Sequence, residues 1–465
     1  MSRDFYDFLA DSVLFSSKHV DEDFRSISDS SLERELDRYR THVTRLATRV
    51  MDRLSESGDQ LSIFFDTSAR TSPVVESLKQ SALYYDRAVV DDPLFRLTRR
   101  PGPQSRAFSR FLGDEEAGVD RTGLAEAVRY MQLVTPMVAA NYLAFVPLSL
   151  VHEPPDEMPI TVSKTLFEER LPPHLIEWIQ SKAEVRPLFK HSDGGWYSQV
   201  DAPLKPGRSI VIQFNGHETA SIYHLLAQEV VSADEATRII QFRQWLPDKP
   251  PSPAEFATWV TQSVNQAGGH LLSSIATAIV HSERTNSILF TESTFVSELL
   301  GMHVEGPGQP TLTTGQLALQ LKLPVLQRIS VEDLMRIRSD EGEAFRRFRN
   351  SLRKRLGAVR HTGDRGGAEA MMRDIERELL DEEIPEVDRA VARLRQEKFV
   401  DVVVGTASLA AVVLAGDPSL ASVMAAGATA AGLVQTVRRS VHEVRKHPAY
   451  FLWRMQRRAG RPCQD

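Results

Sequence analysis

Between Leu61 and Val151 the chain alternates short apolar runs with amphipathic helical segments, and this rhythm constrains the fold more than any other feature. The apolar runs lie at residues 61–66 (LSIFFD), 87–95 (RAVVDDPLF) and 142–151. Successive parallel strands need a crossover of a dozen or more residues, which is usually a helix. The alternation therefore predicts an α/β core with a mostly parallel sheet and crossover helices.

The same alternation recurs at residues 287–293 (SILFTES), an apolar run that precedes the helical pattern TFVSELLG. Before it, residues 152–253 are rich in proline and turn residues, with a candidate strand at 209–214 and a candidate helix at 233–245. We interpret this stretch as an insertion into one sheet-containing core. A separate domain is the alternative.

Long amphipathic helices flank the core. Apolar residues recur at helical spacing from Ser30 to Leu54, and the whole chain after Ile329 has a helical pattern. We therefore predict an α-rich chain with extensive all-α terminal regions. Its expected parts are an N-terminal helical arm (residues 1–58), an α/β core with a Pro-rich insertion (59–310), a charged helical region (311–395), and an apolar helical hairpin with a basic tail (396–465).

Composition excludes several classes of protein. A chain of 465 residues with 42% hydrophobic and 25% charged residues is typical of soluble globular domains. The net charge of −6 gives no attraction of the whole chain to nucleic acid or to anionic membranes, so any such binding is local. The single cysteine, Cys463, excludes an intramolecular disulfide, and the first residues lack a signal-peptide pattern. We expect a cytoplasmic protein.

Catalytic signatures are missing. The sequence contains neither the GxxxxGK[ST] loop of nucleotide-binding proteins nor the GxSxG turn of hydrolases. His217 and Glu218 begin a metalloprotease-like motif, but Ser221 stands where the second histidine would be needed. We therefore expect no cofactor.

Acidic residues close three of the apolar runs: Asp66 the first, Asp91 and Asp92 the second, and Glu292 the run at 287–293. Ligands of open parallel sheets bind at the carboxyl ends of the strands. If these ends converge, all four are candidate catalytic residues. Asp66, Asp92 and Glu292 are then candidate ligands for Mg²⁺ or Mn²⁺ ions that activate water to hydrolyse a phosphodiester. The alternative is that the acids cap helices or are solvated.

Two of these runs carry a family resemblance. FFDTS, residues 64–68, resembles the first strand of PIN-like nucleases, and ILFTES, residues 288–293, is similar to one of their later strands. The resemblance implies a metal-dependent nuclease with acids at these strand ends. The sequence departs from the pattern at Thr291, where these enzymes usually have an aspartate.

Three other segments resemble segments that recur in large bacterial proteins without an assigned activity. This resemblance implies a bacterial cytosolic protein and no particular chemistry. The segments are ALYYDRAVVDDPLF, SVEDLMRIRSDEGEAFRRFRNSL and HPAYFLWRM.

A cluster of basic residues on one predicted helix is the clearest candidate for contact with nucleic acid or another anion. Apolar residues recur there at spacings of three and four, which predicts a buried stripe with the basic side chains on the other faces. The alternatives are a solvated face or pairing with the acidic helix at 374–388. The candidate contacts are Arg346, Arg347, Arg349, Arg353, Lys354 and Arg355.

The predicted C-terminal hairpin is unusual because neither of its arms contains a charged residue. The first arm, 402–416, spans about 22 Å as a helix, whereas a bilayer core is about 30 Å thick. The second arm, 418–437, is dominated by small residues that gain little from transfer to lipid. A buried helical hairpin is therefore favoured over a membrane-inserting one.

We predict a non-catalytic binding or regulatory protein of a bacterial cytosol whose helical C-terminal region engages another macromolecule. Its partner and its oligomeric state do not follow from the sequence, although the basic helix makes nucleic acid a candidate. Two alternatives stay open. One is a metal-dependent nuclease that uses the strand-end carboxylates, and the other is a membrane-inserting effector that uses the apolar hairpin.

Overall fold

The structure is a computed structural model. It describes residues 3–56, 60–66, 75–99, 119–150, 171–190, 196–234, 239–245, 247–302, 318–319, 321–360, 365–402 and 444–459.

The strands, in chain order, are β1 (Ser62–Phe65), β2 (Arg87–Asp91), β3 (Leu143–Val146), β4 (Ala183–Lys190), β5 (Trp196–Ser198), β6 (Ser209–Phe214), β7 (Ala220–His224), β8 (Ala227–Asp234), β9 (Ile239–Trp245) and β10 (Ile288–Phe290). The α-helices are α1 (Arg3–Ala10), α2 (Ser17–Asp21), α3 (Asp29–Ser55), α4 (Val75–Ser81), α5 (Pro93–Leu97), α6 (Arg121–Ala139), α7 (Pro173–Lys182), α8 (Pro253–Arg284), α9 (Thr294–Met302), α10 (Pro324–Arg328), α11 (Val331–Asp340), α12 (Gly342–Arg360), α13 (Arg365–Arg377), α14 (Ile384–Val402) and α15 (Tyr450–Ala459).

Four strands form a parallel sheet in the order β10-β1-β2-β3. Ile63 is paired with Ile288 on one side and with Ala88 on the other, which fixes the register of the three neighbouring strands. Strands β1 to β3 follow one another across the sheet, whereas β10 returns to the opposite side of β1. The predicted parallel, helix-connected sheet is thus confirmed for these four strands.

Helices cover both faces of the parallel sheet. Because side chains alternate along a strand, Phe64 and Phe145 point to opposite faces. Phe64 contacts the ring of His281 in α8, and Phe145 contacts Tyr6 of α1 and Tyr130 of α6. All four residues of β1 and all four of β3 are buried, so this sheet forms a core that is closed on both sides.

The rest of the β-structure is antiparallel, so the expectation of a mostly parallel core is only partly correct. Strands β5-β4-β6-β7 form an antiparallel sheet, and β8 pairs with β9 as a hairpin. The prediction of a helix at 233–245 is wrong. The register of the β8–β9 hairpin pairs Asp234 with Ile239 and Ala227 with Trp245. Ile239, Ile240, Phe242 and Trp245 favour a strand, and pairing with β8 outweighs the helix-forming residues between them.

The antiparallel sheet packs its inner face against α7, α8 and α9. Ile210, Ile212 and Phe214 of β6 join Trp259 of α8 and Phe295 of α9 in one buried cluster. The long helix α8 begins with a full capping box formed by its N-cap Ser252 and Glu255. The end of α8 contacts β10 and β1, so this one helix supports both sheets.

The chain divides into two compact units. The first comprises Met1–Pro73, Arg87–Leu133 and Leu143–Glu305, and the second comprises Val74–Asp86, Val134–Tyr142 and Gly306–Asp465. Every strand of the described chain belongs to the first unit. The predicted long helix is present there as α3, and its apolar stripe is buried from Leu32 to Leu54.

The second unit is built from helices in its described part. Ser330 caps α11 by accepting a hydrogen bond from the backbone N–H of Asp333, as its sequence predicts. Phe451 of α15 is fully buried and packs against Phe345 and Phe348 of α12. A short π-helical turn, Glu378–Glu383, joins α13 to α14.

Among the described residues, no helix combines the length and the apolar character that crossing a bilayer requires. The apolar arms of the predicted hairpin, at 403–416 and 418–437, lie outside those residues.

Candidate functional site

The strand-end acids lie at one edge of the parallel sheet. Asp66 follows β1, Asp91 ends β2 and Glu292 lies two residues after β10. These three strands are neighbours, and the backbone N–H of Asp66 donates to the carbonyl oxygen of Phe290 at 2.8 Å. The ends of these three strands, on whose convergence the metal-site alternative depends, are therefore neighbours in the backbone.

Asp92 has a structural role. Its Oδ1 accepts hydrogen bonds from the backbone N–H groups of Leu94 (3.0 Å) and Phe95 (2.9 Å), which makes Asp92 the N-cap of α5. Its Oδ2 accepts a hydrogen bond from the hydroxyl group of Tyr39 at 2.6 Å. The side chain is completely buried, and burial raises the pKa of Asp92 to about 6. The capping alternative thus holds for this acid.

Asp91 is a carboxyl group that titrates near neutral pH. Burial raises the pKa of Asp91 to about 7, and the nearby charge of Arg96 opposes the shift. Its Oδ1 accepts a hydrogen bond from the backbone N–H of Leu148 at 3.1 Å. A group with this pKa at the carboxyl end of a parallel strand can exchange a proton at physiological pH.

The charges of the remaining two acids, Asp66 and Glu292, shift the pKa values of different neighbours. The charge of Asp66 opposes the lowering of the pKa of His217 that burial causes. The charge of Glu292, in contrast, adds to the burial that raises the pKa of Tyr130. Across the described part of the chain, no three His, Cys, Asp or Glu side chains are grouped so that they could hold a metal ion. The candidate ligands Asp66, Asp92 and Glu292 are accordingly not assembled into one such group.

The turn after β6 docks on the N-terminus of α9. The carbonyl oxygen of Gly216 accepts hydrogen bonds from the Phe295 N–H (3.2 Å) and from the hydroxyl groups of Ser293 (2.9 Å) and Thr294 (3.3 Å). Gly216 has φ of +84°, and a Cβ there would lie 2.2 Å from Thr294 Oγ1. His217 is buried beside it, with Nδ1 3.1 Å from Ser293 Oγ. The sequence gives no signal for this docking beyond the incomplete metalloprotease-like motif at His217.

The pKa of Asp91 predicts a pH-dependent stability. The folded chain holds this proton more tightly than an unfolded chain, whose aspartates have pKa values near 3.8. The ionised carboxyl therefore lowers the free energy of unfolding progressively as the pH rises from about 4 to about 7. We expect Asp91→Asn to change it little at pH 4 and to raise it by a few kcal/mol at pH 8.

Urea denaturation followed by circular dichroism at both pH values measures this effect. Asp11→Asn, at an exposed position, is the matched control and should show no such difference. An equal effect of Asp91→Asn at pH 4 and pH 8 would contradict the prediction.

The basic cluster lies on α12, whose apolar stripe is buried as predicted. Phe345, Phe348, Leu352 and Leu356 are each at most 5% exposed. No acidic residue occurs between Glu343 and the end of the helix. The basic side chains therefore occupy the remaining faces of a helix that is fixed to the second unit along one side.

Three of the six candidate contact residues are used in ion pairs within the second unit. Only the pairs of Arg355 confirm the alternative that the basic helix pairs with the acidic helix at 374–388, because Glu343 lies on α12 itself and Asp86 follows α4. The pairs are Arg347 with Glu343, Arg349 with Asp86, and Arg355 with Glu378 and Glu383.

The other three, Arg346, Arg353 and Lys354, are exposed. No ion pair joins any of them to an acid of the described chain. At positions i, i+7 and i+8 they share one face of α12 and span about 12 Å along its axis. We call these three residues the basic face. Tyr84 lies nearby, since the charges of Arg353 and Arg349 oppose the rise in the pKa of Tyr84 that burial causes.

The basic residues of the C-terminal helix behave differently. The arginines of the described basic tail each contact an acid of the second unit. The pairs are Arg445 and Arg454 with Glu341, Arg457 with Asp388, and Arg458 with Asp333.

The chain gives no significant match to a protein-family model, to a curated protein or to a solved structure. The resemblances to PIN-like nucleases and to bacterial proteins therefore stay predictions.

Proposed function

We propose that this chain is a non-catalytic binding protein whose second unit engages an acidic macromolecule through the basic face of α12. The observation that carries the proposal is the division of the six basic residues. Three neutralise their charge in ion pairs, while Arg346, Arg353 and Lys354 stand on one exposed face. Three cations within about 12 Å on one helix face concentrate positive charge there, and an anionic partner neutralises it.

The charge of the whole chain makes this face distinctive. The net charge is −6, so acids are available to pair with exposed arginines, as Arg445, Arg457 and Arg458 illustrate. The absence of acids between Glu343 and the end of α12 instead gives the basic face a local positive field. Such a field steers an anionic partner to this surface and fades as salt is added. A cytosolic location remains part of the proposal.

Retention on a heparin column tests the proposal, because heparin presents a dense anionic surface of no defined sequence. We expect the intact chain to be retained at low salt and the triple variant R346A/R353A/K354A to elute at clearly lower salt. The three positions are exposed and form no ion pair with a residue that the structure describes, so the variant should keep the stability of the wild type.

A second triple variant, R373A/R389A/R393A, is the matched control. It removes the same charge from three exposed arginines of the second unit, but from helices that also carry acids such as Asp374 and Asp388. Its elution should stay close to that of the wild type. Equal elution of the two triple variants, or no retention of the wild type, would refute the proposed function.

A further inference from the structure

We infer that the partner of the basic face is a nucleic acid, bound through its phosphates without regard to base sequence. This inference rests on the proposed function, which requires only an acidic macromolecule. Three features of α12 favour nucleic acid over an acidic protein or a lipid surface.

The first feature is the chemical character of the exposed surface. The exposed residues of α12 contain no large apolar side chain, because every such residue of the described helix is buried in the stripe against the second unit. Stable protein interfaces are anchored by buried aromatic or aliphatic residues, and interfacial helices insert apolar side chains into lipid. Contacts to phosphates need neither. The exposed residues are Glu343, Arg346, Asn350, Arg353, Lys354 and Ala358.

The second feature is the rigidity of the helix that presents the charges. Phe345 and Phe348 pack on Phe451 at ring distances of 5.3 and 5.9 Å. The ion pairs of Arg349 and Arg355 hold the flanks of α12. Because the backbone of the basic face is fixed before binding, little conformational entropy is lost when an ordered row of anions docks on it.

The third feature is the match of spacing and donor type. Double-stranded DNA carries one negative charge per about 1.7 Å of its axis, so a face about 12 Å long meets several phosphates at once. Arginine guanidinium groups donate in pairs to phosphate oxygens, and the amide of Asn350 lies between Arg346 and Arg353 as a further donor. Contacts to phosphates carry no sequence information, so binding should be independent of sequence.

Fluorescence anisotropy with labelled oligonucleotides tests the inference on the intact chain. The probes are two 20-base-pair DNA duplexes of unrelated sequence and one single-stranded RNA, titrated at several NaCl concentrations. We expect binding at low salt, with dissociation constants for the two duplexes that agree within about threefold. The variant R346A/R353A/K354A should weaken binding to all probes. Its plot of the logarithm of the association constant against log salt should be less steep than that of the wild type, with a slope smaller in magnitude by about 3.

The control R373A/R389A/R393A should leave both the affinity and the salt slope close to those of the wild type. A preference of more than about tenfold for one duplex would overturn sequence-independent binding through phosphates. An unchanged salt slope in R346A/R353A/K354A would overturn the role of the basic face in nucleic-acid binding.

The two proposals fail in different ways. If the intact chain is retained on heparin through the basic face but binds none of the oligonucleotides at 50 mM NaCl, the proposed function stands and the nucleic-acid inference fails. Flotation with vesicles of phosphatidylserine and phosphatidylcholine then identifies a lipid partner, and poly-glutamate titration identifies an acidic polypeptide. If heparin retention is also unaffected by R346A/R353A/K354A, both proposals fail.

Discussion

Replacement of Arg338 with alanine should cost the second unit about 4 kcal/mol of stability, the largest effect expected from a single side chain. Its guanidinium donates to the carbonyl oxygens of Ala82, Tyr85 (2.7 Å) and Asp86 (3.1 Å). These carbonyls follow the end of α4, more than 250 residues away in sequence. The alanine variant leaves all three without this charged donor.

The same guanidinium also lies over two aromatic rings, 4.7 Å from the centroid of Tyr142 and 4.3 Å from that of Phe345. Lysine keeps the charge but cannot reproduce the planar fork, so Arg338→Lys should recover less than half of the loss. Urea denaturation and hydrogen exchange of residues 75–86 measure both variants.

Arg336→Ala is the control for Arg338, since Arg336 is an exposed neighbour on α11 whose partner is Glu332 at 2.5 Å. It should change the free energy of unfolding by less than about 0.5 kcal/mol. If Arg338→Ala lowers the free energy of unfolding no more than Arg336→Ala does, the buried guanidinium does not hold the segment after α4, and our interpretation of these contacts is wrong.

Replacement of Asp92 with alanine should destabilise the first unit by about 3 kcal/mol. The substitution removes the N-cap of α5 and leaves the hydroxyl group of Tyr39 buried without its acceptor. Asp92→Asn keeps an oxygen for the backbone N–H groups of Leu94 and Phe95, so it should cost much less.

A double-mutant cycle separates the two contributions of Asp92. In a Tyr39→Phe background no hydroxyl remains to be stranded, so Asp92→Ala should cost about 1–2 kcal/mol less than in the wild type. Thermal or urea unfolding of the four proteins measures the coupling. Strict additivity of the two substitutions would show that the 2.6 Å hydrogen bond between Tyr39 and Asp92 contributes nothing.

Local patterns in the sequence were sufficient to predict the parallel strands and the long helices. The alternation of apolar runs with helical segments predicted the strands that became β1, β2, β3 and β10, and the stripe from Phe345 to Leu356 predicted the buried side of α12. The pattern failed at 233–245, where helical spacing and strand-forming residues coexist in one segment. Whether that segment forms a helix or a strand depends on pairing with β8, and the propensities of its own residues do not include this partner.

The side-chain roles at the sites were less predictable, because they depend on residues that are distant in sequence. Asp92 is a good capping residue by type, but its contact with Tyr39 spans 53 positions. His217 meets Ser293 across 76 positions. Which arginines of α12 are neutralised likewise depends on Asp86, 263 positions away from Arg349, and on the helix that follows. Only the folded chain makes these partners neighbours.

The division of the chain into its two units has a consequence for how the protein is made. The polypeptide passes between the units five times, and the short pieces 74–86 and 134–142 belong with residues synthesised more than 160 positions later. Arg338, for example, is synthesised more than 250 residues after its acceptors at 82–86. We therefore expect the second unit not to mature on the ribosome until residues after Gly306 meet these two early pieces. A fragment that begins at Gly306 lacks those acceptors, and it should remain sensitive to proteases until the N-terminal part of the chain is supplied.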